Sequence, residues 1–99
     1  NSSVNPAANG FEAYVYKLDS PAEPFAESIV KSFVSRLGSK DNGVRAANFA
    51  VLRQTRMPAT LLELGYLSNP TEALNLNSPA WQAAAAEAIY QGIYKYVKP

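Results

Sequence analysis

The sequence contains no cysteine and no histidine. Without cysteine there is no disulfide framework, no thiolate nucleophile and no sulfur-ligated metal. Without histidine there is no Ser-His-Asp or Cys-His machinery, and no imidazole ligand for zinc. Metal chemistry here would need carboxylates alone, or ligands from elsewhere. Apolar runs are short: nothing approaches the roughly 20 residues that span a bilayer, and the alanine run 83–86 ends at Glu87. Charge is sparse and balanced. Nine Lys and Arg face eight Asp and Glu, a net charge of +1, with no basic run to follow a phosphate backbone. No membrane and no nucleic acid are expected as partners. The first residue is not Met and no charged-then-apolar leader follows it, so any targeting segment is expected to be absent from this sequence.

What is present has the balance of an ordinary globular domain: 47% hydrophobic and 17% charged over 99 residues. Asn9-Gly10 reads as a turn leading into a strand, because Phe11, Ala13 and Val15 alternate with Glu12, Tyr14 and Tyr16. From Pro21 the period changes. Ala22, Phe25, Ala26, Ile29, Val30, Phe33, Val34 and Leu37 recur at spacings of three and four, which predicts a helix, and Gly38 offers the left-handed residue that closes one. Residues 43–56 fit neither period and admit a short helix or a short strand. Residues 59–64 form a nearly continuous apolar run after Pro58, interrupted by Thr60 and Glu63, the pattern of a strand buried on both faces of a parallel sheet.

Two helix starts follow. Asn69 caps with Pro70 at the first helical position and Glu72 placed for a capping box; Ser78-Pro79 repeats the cap-then-proline logic. The last helix is expected over 79–97 with Trp81, Ala85, Ala88, Ile89, Gly92, Ile93 and Tyr96 on its buried side. Strand and helix alternate, as in an α/β layer fold. Two clear strands make too small a parallel sheet, so further strands are expected outside this chain.

Glu63 stands out as a carboxylate near the end of what should be the most buried strand. A buried unpaired charge costs several kcal/mol, and open α/β sheets bind ligands beyond the carboxyl ends of their strands. Against this stands an ion pair with Arg45, Arg53 or Arg56, which from the residues alone is about as probable. Asp19, Glu23, Glu27, Asp41 and Glu87 read as solvated or capping groups, and Glu12 as a residue on a strand flank. Phe11, Tyr14 and Trp81 read as core or sheet-flank aromatics.

Three blocks in order resemble the zinc N-acetylmuramoyl-L-alanine amidases of the Amidase_3 type. They are Asn9-Gly10-Phe11-Glu12-Ala13-Tyr14, then Gly43-Val44-Arg45 with Phe49-Ala50-Val51-Leu52-Arg53, then the run from Met57 through Leu62-Glu63-Leu64-Gly65-Tyr66-Leu67-Ser68-Asn69. The closing stretch 89–96 resembles the family's last helix. The resemblance implies that residues 1–99 are the carboxyl-terminal portion of one catalytic domain. That domain is a three-layer α/β/α fold with a mostly parallel sheet whose amino-terminal strands are missing here. It implies a hydrolase of the bond between N-acetylmuramic acid and L-alanine in peptidoglycan, working outside the cell or in the bacterial wall, or as a phage lysin. One zinc would be held by two His and one Glu of the upstream half, and none by this chain alone. Glu63 occupies the position of the family's catalytic glutamate. Asn1 resembles the Asn of the family's His-x-Asn motif, two residues after a ligand. Arg45 and Arg53 lie in family-like blocks but read more simply as surface or ion-pairing groups; Arg53 and Asn1 are the candidates for contact with substrate. Two other classes stay open: a non-catalytic wall-binding or regulatory fragment, and an unrelated small α/β domain in which Glu63 is only paired.

Overall fold

The computed structural model describes residues 1–98. Strand β1 (Phe11–Val15) is followed by helix α1 (Ala22–Leu37), strand β2 (Asp41–Ala46), the short helix α2 (Ala50–Arg53), strand β3 (Leu61–Glu63), and helices α3 (Pro70–Leu76) and α4 (Pro79–Val97). The sheet order is β2-β1-β3, so the first strand is central. Phe11, Ala13 and Val15 are wholly buried on one of its faces, as the alternation predicts. Helix α1 lies against β1 and β2, and α4 packs on α1. The Phe11 ring stacks on Phe33 of α1 at 4.0 Å between centroids, and Trp81 of α4 meets Phe33 edge-on.

The α/β alternation holds, but the sheet is mixed. β2 runs parallel to β1, and β3 runs antiparallel to it. Residues 59–64 therefore do not form a strand of a parallel sheet. Three of them pair, and each is partly exposed, because β3 has β1 on one side only among the described strands. Residues 43–56 hold both alternatives in turn, the end of β2 and then α2.

Helix ends follow their local chemistry. Gly38 closes α1 at φ 72°, its N–H donating to the Val34 carbonyl. The Asn69 side chain accepts from the N–H groups of Thr71 and Glu72, and the Ser78 hydroxyl from that of Trp81. Glu72 departs from the capping box. Its carboxylate accepts instead from the backbone N–H of Tyr66 at 2.8 Å and of Gly10 at 3.0–3.1 Å. It thus ties the entry to β1 to the exit from β3. Glu72→Ala would leave both N–H groups without that acceptor, and a loss of about 1.5–3 kcal/mol is expected. Urea denaturation measures it, with faster amide exchange at Gly10 and Tyr66.

In α4, Ala85, Ala88 and Gly92 are buried, whereas Ile93 and Tyr96, expected on the buried side, are more than a third exposed. The Tyr96 ring still meets Phe25 edge-on at 5.2 Å. Small residues bring the two long helices together. A Cβ on Gly92 would stand 2.6 Å from the Ile29 Cα, and the hydroxyls of Ser28 and Ser32 each donate at 2.7 Å to the carbonyls of Gly92 and Ala88.

Candidate functional site

The face of β1 opposite its apolar core carries Glu12 and Tyr14. Pairing in the sheet brings Glu63 directly opposite Glu12, and Arg45 opposite Tyr14. Glu63 is the last residue of β3 and its side chain is 30% exposed, against 1% for Glu12. The buried carboxylate of this sheet is therefore Glu12, not Glu63. Because β3 is antiparallel, Glu63 also sits beside the start of β1, at the end opposite the carboxyl ends of β1 and β2.

Glu12 is saturated with donors. Its Oε1 accepts from the Asn1 amide at 3.1 Å and the Tyr66 hydroxyl at 2.8 Å; its Oε2 accepts from the Tyr14 hydroxyl at 2.7 Å and Arg45 Nη1 at 3.3 Å. Burial pushes this carboxyl upward, but the bonds from Tyr14 and Tyr66, the Arg45 charge and the Asn1 amide together hold it below its ordinary value. Its contribution to folding is full above the unfolded carboxylate range and is lost as pH falls through the lowered value. The two phenols move the other way. Donation to Glu12 raises Tyr14 and Tyr66, with Glu63 adding repulsion at Tyr66.

Asn1 closes the site. Its amino nitrogen donates to the Gly65 carbonyl at 3.0 Å and stands 3.2 Å from Glu63 Oε2, and its carbonyl accepts from Leu67 N–H at 2.7 Å. The Glu63 contact carries charge as an ammonium and would carry none as a peptide nitrogen. Asn1, Glu12, Tyr66 and Glu63 thus form one constellation.

Of the residues singled out in the sequence, Glu63 and Asn1 are brought together. Arg45 pairs with Glu12. Arg53 stands apart: its guanidinium donates to the Asn48 side chain, and it lines a cavity of about 210 Å³ with Tyr16, Lys17 and Arg56, beyond the Val15 end of β1. Glu12, Tyr14 and Tyr66 were not foreseen as site residues. The one signal for them is that Glu12 and Tyr14 share a strand face by period two.

The sequence model of the N-acetylmuramoyl-L-alanine amidases matches residues 1–95. The chain belongs to this family. The catalytic domain of CwlV, an N-acetylmuramoyl-L-alanine amidase of Paenibacillus polymyxa, is 42% identical and superposes with a TM-score of 0.89 over 98% of this chain and 53% of its own. The amidase AmiC2 of Nostoc punctiforme is 38% identical, with a TM-score of 0.92 over 100% of this chain and 54% of its own. An uncharacterised cell wall amidase of Bacillus anthracis is 39% identical over 96% of this chain and 19% of its own length. The chain therefore spans about half of each solved catalytic structure and about a fifth of that curated relative. It is a fragment of the catalytic domain. No helix among the described residues is long and apolar enough to cross a membrane.

Proposed function

We propose that the complete protein hydrolyses the amide bond between N-acetylmuramic acid and the L-alanine of the stem peptide, with Glu63 as general acid and base. The observation that carries this reading is the placement of Glu63. It is a partly exposed carboxylate at the end of β3, framed by Asn1 and Tyr66, in a chain that matches the amidase family over 1–95.

Among the described residues no group of three or more His, Cys, Asp or Glu side chains could hold a metal. The zinc that the family resemblance calls for would take its ligands from residues outside this chain. When bound, zinc supplies Lewis acidity and a more acidic water. This chain contributes the proton carrier. The Glu63 carboxylate takes a proton from the attacking water as the C–O bond forms, and gives it to the alanine nitrogen as the C–N bond breaks. Asn1 stands beside it, with its main-chain nitrogen 3.2 Å from Glu63 Oε2. Arg53, which lines a separate cavity with Lys17 and Arg56, would meet an anionic part of an extended substrate rather than the reacting amide. The place of action on this reading is the bacterial cell wall.

The test uses the complete protein on purified peptidoglycan. New free amino groups on L-alanine are expected, with no new reducing sugar ends; new reducing ends without free alanine would refute an amidase. The isolated 99-residue chain is expected to release no stem peptide and to bind zinc no better than an unrelated acidic peptide. Release by the pure 99-residue chain would show that it carries a whole active site.

A further inference from the structure

We propose that Glu12 is a positioning residue for this reaction, holding Asn1 and Tyr66 in place beside Glu63; the inference rests on the reading of Glu63 given above. Three observations carry it. First, Glu12 lies on the face of β1 turned away from the apolar core, so its burial adds nothing to that core. Second, like charges directly opposite on neighbouring strands are destabilising, yet Glu12 and Glu63 are a cross-strand pair. A sheet selected only for stability would not place two carboxylates there. Third, the donors converge from segments distant in sequence, the chain before β1, β2 and the loop after β3.

Both oxygens of Glu12 already accept two bonds each, so the carboxylate has no free lone pair aimed at a substrate. It acts through its partners. The Asn1 amide fixes the start of the chain, whose backbone bridges Gly65 and Leu67 just past Glu63. The Tyr66 hydroxyl ties that same loop to Glu12 directly, at 2.8 Å. With Glu12 in place, Asn1 and the backbone just past Glu63 move as one body. A misplacement of about 1 Å at such a point can lower turnover by about 10²-fold.

The experiment measures kcat and KM of the complete amidase on a soluble muramoyl-peptide for Glu12→Gln, Tyr66→Phe and Glu63→Gln, and for Glu12→Gln combined with Glu63→Gln. Expected for Glu12→Gln is a fall in kcat of about 10–100-fold with KM within about threefold. In the Glu63→Gln background the same change should add little, because residues acting as a unit are not additive. Amide exchange at Leu67 should quicken while Phe11 and Ala13 stay protected. Tyr66→Phe removes one donor without a buried charge change, and serves if Glu12→Gln does not fold; a kcat loss of about fivefold at unchanged KM is expected. Unchanged kcat in folded Glu12→Gln, an equal loss in both backgrounds, or a silent Tyr66→Phe as the sole folded variant would overturn the proposal. If Glu63→Gln retains turnover, the Glu63 reading fails and this one with it. If Glu63→Gln is inactive and Glu12→Gln is silent, only the role of Glu12 falls.

Discussion

On the function proposed above, Glu63→Gln in the complete protein is expected to lower kcat by about 10²–10⁴-fold, the range attributed to a positioned acid–base group. Glutamine keeps the shape of the side chain but cannot take a proton from water or return it to a leaving nitrogen. Zinc content should be unaltered, since Glu63 is not read as a ligand. Stability should hold or rise slightly. Glu63 faces Glu12 across the strand pair, and removing one of two opposed carboxylates relieves repulsion. The combination of lost turnover and intact fold separates a chemical role from a structural one. A variant with kcat within threefold of wild type would return Glu63 to the class of merely paired carboxylates.

The second large effect is expected at Gly92→Ala. In an exposed helix interior this change would stabilise by about 1 kcal/mol, since glycine is the poorer helix former. Here the added Cβ would meet backbone only: the Ile29 Cα at 2.6 Å, the Ser28 carbonyl at 3.0 Å and the Ile29 nitrogen at 3.2 Å. No side chain can swing aside to make room, so α4 must move away from α1. That shift lengthens the Ser28–Gly92 and Ser32–Ala88 hydrogen bonds, both 2.7 Å, and opens the contact around Ala85 and Ala88. A net loss of about 1–3 kcal/mol is expected in denaturant, the range for overpacking a tight core. An unchanged or raised midpoint would mean that the two helices are free to slide.

Much of the fold can be read in the sequence where a signal is local. The stripe in α1, the caps at Asn69 and Ser78 and the alternation in β1 depend on residues within a turn or two of each other. Strand direction is not local: the run 59–64 is apolar whichever way it pairs, so nothing in it distinguishes an antiparallel β3 from a parallel one. The same limit hid Glu12. Its alternation with Phe11 and Ala13 correctly puts it off the core face, but two of its partners, Arg45 and Tyr66, lie 33 and 54 residues away. Glu72 departs from its local signal for the opposite reason. Its spacing from Asn69 suits a local box, and a tertiary demand at Gly10 and Tyr66 overrides it. Glu63 stands out in the sequence as a carboxylate within an apolar run, but only the family motif gives it a role, and the burial expected of it belongs to Glu12.

The bond pattern of Glu72 also bears on how the molecule is assembled. Helix α3 has seven residues and buries none of them, and a segment so short does not hold a helix in water by itself. Its order depends on the Asn69 cap and on the two amides that Glu72 receives from the entry to β1 and the exit from β3. α3 is thus expected to form after β1 and β3 have met, and to melt before they part. Because Tyr66 is one of those amides, early loosening of α3 would reach the loop beside Glu63 while the apolar core of α1, α4 and β1 is still intact. Catalytic competence would then be lost at a lower temperature than the fold.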